Sequence, residues 1–319
     1  MRSFIIKLLA FGALQVAVLI ALALIYDPGD QTYHASTIDK HGRLERLASL
    51  AGQAGQPGRR LILVGGSNLS FCLRSELIRD QLDVQPVNMA VQASLGLEFI
   101  LREVEGQLGP SDVVVVSLEY AQYFYRTEEI LTLARLLEQR PESRAFVELD
   151  GYLFKMASDR AHDYVRHMVR RTLSDLAGRQ DSGSRLYSRG SFNEYGDMVA
   201  HLDRPPKPLK VGGRPGPDAE RFAHAVADRL DQLHDTARRA GARVLLFHPP
   251  VAATQYDRLA PDLAMLTRVL DRDLDVPQLD RIDEMRYPDA LFFDTVYHCN
   301  REGATRRTEL LIERLRGQL

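Results

Sequence analysis

Four consecutive valines, Val113 to Val116, stand between Asp112 and Leu118, and they limit the possible folds more than any other feature. A β-branched apolar run without polar alternation disfavours helix and cannot lie on a half-solvated sheet, so it predicts a strand covered on both faces, as in a parallel sheet. Other compact apolar runs share the pattern. Arg60 to Val64 ends at Gly65-Gly66-Ser67, Val84 to Val91 reads as a second strand, and Arg243 to Phe247 ends at Pro249-Pro250. Leu291-Phe292-Phe293 stands just before Asp294. Helical patterns fall between these runs. One is expected after Ser67 through Leu77 or Ile78, and another from about Glu302 to Leu315. Leu97, Ile100, Leu101, Val104 and Leu108 recur on one helical face, as do Phe222, Val226, Leu230 and Leu233. This alternation predicts an α/β fold, a three-layer α/β/α sandwich around a mostly parallel sheet. With 319 residues and 45% hydrophobic content the chain can bury such a core. In such sheets chemistry sits beyond the carboxyl ends of strands, where Ser67, Glu119, His248 and Asp294 all fall.

The N-terminus carries a different signal. Leu8 to Tyr26 runs nineteen residues without a charge, with Arg2 and Lys7 before it and Asp27 after it. That length predicts one transmembrane helix, residues 1–26, with its positive flank in the cytoplasm. The expected location is the inner (cytoplasmic) membrane, single-pass, with the remainder in the periplasm or outside the cell. A cleaved signal peptide is the alternative, because Ala21-Leu22-Ala23 offers small residues at a cleavage spacing, and it exports the same remainder. Residues 27–58 are polar and rich in Gly and Gln, and read as a stalk with one short helix. From about residue 121 to 210 the strand rhythm gives way to a basic helical insertion, where Arg160, Arg166, Arg170 and Arg171 interleave with Tyr164, Val165, Met168 and Val169. It reads as a solvated cap or as a surface for a membrane partner or anionic headgroups.

A formal net charge of −2 gives no reason to expect nucleic acid. The histidines are scattered and the cysteines do not form a zinc knuckle, so neither metal nor cofactor is expected. Gly65-Gly66-Ser67 lacks the lysine and spacing of a phosphate-binding loop. The only cysteines, Cys72 and Cys299, lie close in sequence to Ser67 and His298. An exported chain permits a disulfide between them, although two separate buried thiols are the plainer expectation.

Serine is a weak nucleophile until a base takes its proton, and the base needs a partner that fixes its orientation. Ser67, exposed at a strand end by glycines, His298 and Asp294 supply those roles if the loop between the last two folds the carboxylate onto the imidazole. His248, on a strand-end loop, is a candidate to line the same site. Phe192-Asn193-Glu194-Tyr195-Gly196-Asp197 is a candidate substrate-side loop.

In Val64-Gly65-Gly66-Ser67-Asn68 and Phe293-Asp294-Thr295-Val296-Tyr297-His298-Cys299-Asn300 the chain resembles the SGNH, or GDSL-like, hydrolase superfamily. The resemblance covers about residues 59–319 apart from the insertion, and is strongest to a diverged branch associated with exopolysaccharide and cell-wall acylation. It implies a Ser67–His298–Asp294 triad and an oxyanion hole that includes the Ala90 backbone N–H, from Asn88-Met89-Ala90. Alanine stands there in place of the family's glycine, and the chain departs from the family pattern in two further places. Asp294 and His298 are four apart where the family spacing is three. Glu119 stands where the family carries an asparagine donor, and an ionised carboxylate cannot donate. Asn68, Gln122 and Asn300 are open alternatives for that donor, while Glu119 is expected either to bind a sugar hydroxyl or to cap a helix. The implied function is an extracytoplasmic acyltransferase or esterase acting on acyl groups of a polysaccharide, with a membrane-bound O-acyltransferase as partner. The alternative is a catalytically degenerate polysaccharide-binding or assembly subunit.

Overall fold

A computed structural model describes residues 2–25, 32–50, 59–147, 165–166, 168–169 and 186–319. In chain order the elements are α1 (Arg2–Ile25), α2 (Ser36–Leu50), β1 (Arg60–Gly65), α3 (Ser67–Cys72), α4 (Ser75–Gln81), β2 (Gln85–Asn88), α5 (Leu97–Glu105), β3 (Val113–Ser117), α6 (Tyr120–Phe124), α7 (Ile130–Gln139), α8 (Ala219–Arg239), β4 (Arg243–Leu246), β5 (Val251–Ala252), α9 (Ala253–Asp273), β6 (Arg286–Tyr287) and α10 (Arg301–Arg316).

The central sheet has the order β2-β1-β3-β4, with every pairing parallel. Beyond β4 the segment around Gln278 continues the sheet, with Leu246 N–H donating to Pro277 O and Leu279 N–H to Leu246 O, both at 2.8 Å. Side chains alternate between faces, as a strand period of two requires. Ile62, Val64, Val114, Val116 and Val244 pack with Ile100 and Val104 of α5 and with Val226 and Leu230 of α8. Leu61, Leu63, Val113, Val115 and Leu245 pack on the other face with Ile78 of α4 and with Leu311 and Leu315 of α10. The four valines of β3 are fully buried, each contributing about 1.5–3 kcal/mol of transfer free energy. Helices therefore cover both faces. Because β1 is flanked by β2 and β3, the chain winds in opposite directions from it, and a crevice opens at the carboxyl ends of β1 and β3.

The segment expected to be a stalk is partly built into the domain. Lys40 of α2 is buried, and its Nζ donates to the carbonyls of Asn88 (2.8 Å), Ala90 (2.8 Å) and Gly196 (2.5 Å). His41 lies 2.6 Å from Glu103 of α5. β2 is an edge strand whose carbonyls need donors, and α2 supplies them with residues that look like surface charges in the sequence. Helix α1 presents Phe4, Ile6, Leu9 and Leu14 to the exterior, and among the described residues no helix is long and apolar enough to cross a membrane. In the basic insertion Arg160, Tyr164, Arg170 and Arg171 lie outside the described residues, whereas Val165, Arg166, Met168 and Val169 are helical and exposed.

Candidate active site

The site begins with a close approach of two strands. A Cβ at Gly65 would stand 2.0 Å from the Ser117 carbonyl oxygen, and one at Gly66 would stand 2.9 Å from Glu119 Oε1 and 3.2 Å from the Ala93 nitrogen. Only glycines allow β1 to run this close to the end of β3 and then turn. Ser67 follows as the first residue of α3, half-buried. The next residue pins the turn in place. Asn68 donates its side-chain Nδ2–H to Ser117 Oγ at 2.8 Å and its backbone N–H to Glu119 Oε1 at 3.2 Å.

The second half comes from a small hairpin. Phe292 pairs antiparallel with Cys299, and Phe293 N–H donates to His298 O at 2.7 Å, so Asp294 to His298 form its tip. Thr295 Oγ1 accepts the His298 N–H at 3.1 Å within that tip. The extra residue relative to the family spacing is taken up here, and Asp294 and His298 end on one side. His298 Nδ1 lies 2.8 Å from Asp294 Oδ1, and Nε2 lies 2.9 Å from Ser67 Oγ. Burial acts to raise the Asp294 carboxyl, but hydrogen bonds from His298 and Tyr187 outweigh it and hold its pKa below the ordinary carboxylate value. The Phe71 ring stacks on the imidazole with centroids 3.8 Å apart and planes at 7°, which limits its rotation.

Cys72 and Cys299 form a disulfide, with their Cα atoms 4.9 Å apart. This corrects the expectation of two separate thiols. The cross-link joins the last residue of α3, which Ser67 begins, to the residue after His298. Closing a separation of 227 residues stabilises the fold by about 2–5 kcal/mol, and it fixes nucleophile and base to one another.

A cleft of about 550 Å³ opens over Ser67, Glu119 and His298, walled by Tyr33, Tyr125 and Tyr187 and rimmed by Gln92, Ser94, Thr127 and Glu128. Ser67 Oγ lies 2.8 Å from Glu119 Oε1, within hydrogen-bond distance. Burial raises the Glu119 pKa, opposed in part by the hydrogen bonds from Ser67 and Asn68 and by the nearby imidazole.

No protein-family model and no curated protein matches this chain.

The geometry sorts the remaining candidates. Ala90 is not placed as an oxyanion donor, because its N–H is bound by Asn88 Oδ1 at 3.2 Å and its carbonyl by Lys40 and Ser70. Ala93, not Ala90, lines the cleft. Asn68 gives its backbone N–H to Glu119 Oε1 and its side-chain N–H to Ser117 Oγ. His248 is fully buried, its N–H bound to Asp280 at 2.8 Å and its Nε2 2.9 Å from Gln278 Oε1, and it does not line the cleft. Neither Gln122 nor Asn300 lines the cleft: Gln122 Oε1 accepts the Glu119 N–H at 3.0 Å at the start of α6, and Asn300 caps α10 through Gly303 N–H and gives its own Nδ2–H to Ala290 O at 2.7 Å. Phe192 to Asp197 proves to be internal support, since Asp197 is buried and accepts from Ser75 and Asn88. The insertion reaches the site upstream of that loop, where Tyr187 OH donates to Asp294 Oδ2 at 2.7 Å. No motif marks Tyr187 in the sequence. Among the described residues no group of His, Cys, Asp or Glu is arranged to hold a metal ion.

Proposed function

We propose that the chain is an extracytoplasmic SGNH-type serine acyltransferase or esterase that acts on acetyl-like groups of an exopolysaccharide or cell-wall polymer. The observation that carries this reading is the hydrogen-bonded sequence Ser67–His298–Asp294 at the floor of an open cleft. In the first step His298 Nε2 takes the Ser67 proton as Oγ bonds to the acyl carbon, and the carbonyl electron pair moves onto oxygen. Asp294, with Tyr187 behind it, orients the imidazole and stabilises its charge. When the tetrahedral species collapses, the departing oxygen takes the proton from Nε2, leaving Ser67 acylated. A sugar hydroxyl or water then gives its proton to His298 and attacks the acyl carbon, and as this second tetrahedral species collapses the Oγ–acyl bond breaks and Ser67 takes the proton back from Nε2, so transfer and hydrolysis share one machinery.

The cleft volume suits one or a few sugar rings. Its tyrosines supply apolar ring faces, and Gln92, Ser94, Thr127 and Glu128 supply hydroxyl-bonding groups. The disulfide accords with an oxidising compartment. The exposed apolar side chains of α1 accord with an inner-membrane anchor, which would hold the domain beside a membrane-bound O-acyltransferase as acyl donor. Glu119 in the place of an asparagine favours the second reading, a degenerate SGNH fold that binds polysaccharide without turnover.

The test incubates the full-length protein in detergent with p-nitrophenyl acetate and defined exopolysaccharide or peptidoglycan oligosaccharides, followed by mass spectrometry of both products. Acetylated oligosaccharide that disappears with Ser67→Ala supports transfer, and free acetate alone supports the esterase. Undiminished oligosaccharide binding without Ser67-dependent turnover selects the binding subunit.

A further inference from the structure

Glu119 is fixed by the same contacts that define the nucleophile. Ser67 Oγ stands 2.9 Å from His298 Nε2 and 2.8 Å from Glu119 Oε1, and the hydroxyl has one proton to give. Two proton arrangements satisfy both contacts with the same total. In the first, Glu119 is ionised and accepts from Ser67, while a doubly protonated His298 donates to Ser67 and to Asp294. The base is then already occupied and the serine is inert. In the second, Glu119 carries the proton and donates to Ser67 Oγ, Ser67 donates to a neutral His298, and His298 Nδ1–H donates to Asp294. Nε2 can now take the serine proton. The second arrangement removes a charge from Glu119 and from the imidazole, and the Glu119 side chain lies in a site that is 9% exposed, where separated charge is costly.

We propose that protonated Glu119 is the missing oxyanion donor of this site, its carboxylic O–H turning from Ser67 Oγ to the oxyanion as Oγ bonds to the acyl carbon. The inference rests on the acyl-transfer reading of the cleft. It resolves the departure from the family pattern, since a neutral carboxylic acid donates as the expected amide does. The acid keeps its proton through the reaction, so the proton that His298 takes from Ser67 is the one it returns to the leaving oxygen.

The proton count sets a pH dependence. One proton fewer leaves Glu119 as a carboxylate against the forming oxyanion and removes the donor. Activity is therefore lost on the alkaline side. Tyr33, Tyr125 and Tyr297 face Glu119 from the cleft walls and the hairpin, and burial raises each of their pKa values, so they stay neutral through this range. Arg126 is paired with Glu128 at the rim, and Asp294 reaches Glu119 only through His298.

The test is the pH profile of p-nitrophenyl acetate hydrolysis for wild type, Glu119→Gln and Glu119→Ala, with Ser67→Ala as the blank and circular dichroism as the check of folding. Wild type is expected to lose activity on the alkaline side of its optimum. Glu119→Gln, whose amide donates at every pH, should lose the alkaline limb and reach a plateau. Glu119→Ala should also lack that limb and fall by about 10²–10³-fold at the optimum, as removal of an oxyanion donor does. A wild type without an alkaline limb, or a limb that persists in either folded variant, overturns the inference and leaves Ser67 chemistry standing. Absence of any Ser67-dependent hydrolysis overturns the acyl-transfer reading and the inference together.

Discussion

The carboxyl ends of β1 and β3 and the carboxyl end of β4 carry equally chemical residues, yet only the first pair makes a site. Ser67 and Glu119 meet at an open crevice and bond to each other and to His298. At the end of β4, His248 and Asp280 sit beside Arg307, whose Nη1 lies 3.8 Å from Asp280 Oδ2 with both side chains fully buried, and the cavity of about 430 Å³ that Gln278 and Asp280 line there holds neither Ser67 nor His298. Burial pushes Asp280 up to about 7, His248 down to about 4 and Arg307 down to about 10. Desolvation thus exceeds the mutual attraction in this group. A shifted titration alone does not mark a catalytic centre. The reversal of winding at β1 and β3 instead marks where a crevice opens over the sheet.

This contrast can be broken at either end. Arg307→Met leaves Asp280 buried without its cation and should destabilise the protein by about 3–5 kcal/mol in chemical denaturation. Pairing it with Asp280→Asn should recover much of that loss, because two neutral groups carry no uncompensated charge. A single variant as stable as wild type would remove the structural role assigned to the β4 end. At the other end the effect is smaller and of the opposite kind. Tyr187→Phe removes the donor to Asp294 Oδ2 from a side chain that is 44% exposed, and should slow acylation about fivefold, the worth of roughly 1 kcal/mol, without moving the denaturation midpoint. A large stability loss with unchanged rate would reverse the assignment.

The fold was legible where local pattern and burial agree. The valines of β3 and the helical stripes of α5 and α8 lie where their periodicity puts them. Ser67, Asp294 and His298 were legible as residues, and their meeting depends on the hairpin from Phe292 to Cys299, which no periodicity announces. Three features were hidden for physical reasons. Lys40 reads as a surface charge because its partners are backbone carbonyls distant in sequence. Ala90 reads as a donor because its N–H is bound by the Asn88 side chain only once the turn forms. Tyr187 stands in a polar insertion, and only the tertiary fold brings it to Asp294.

The most direct measurement of the central claim is fluorophosphonate labelling of the full-length protein, with the modified residue mapped by peptide mass spectrometry and the rate compared with His298→Ala. The account predicts labelling at Ser67 and a rate lower by about 10³-fold or more without the imidazole. Labelling elsewhere, or a Ser67 rate indifferent to His298, would contradict it.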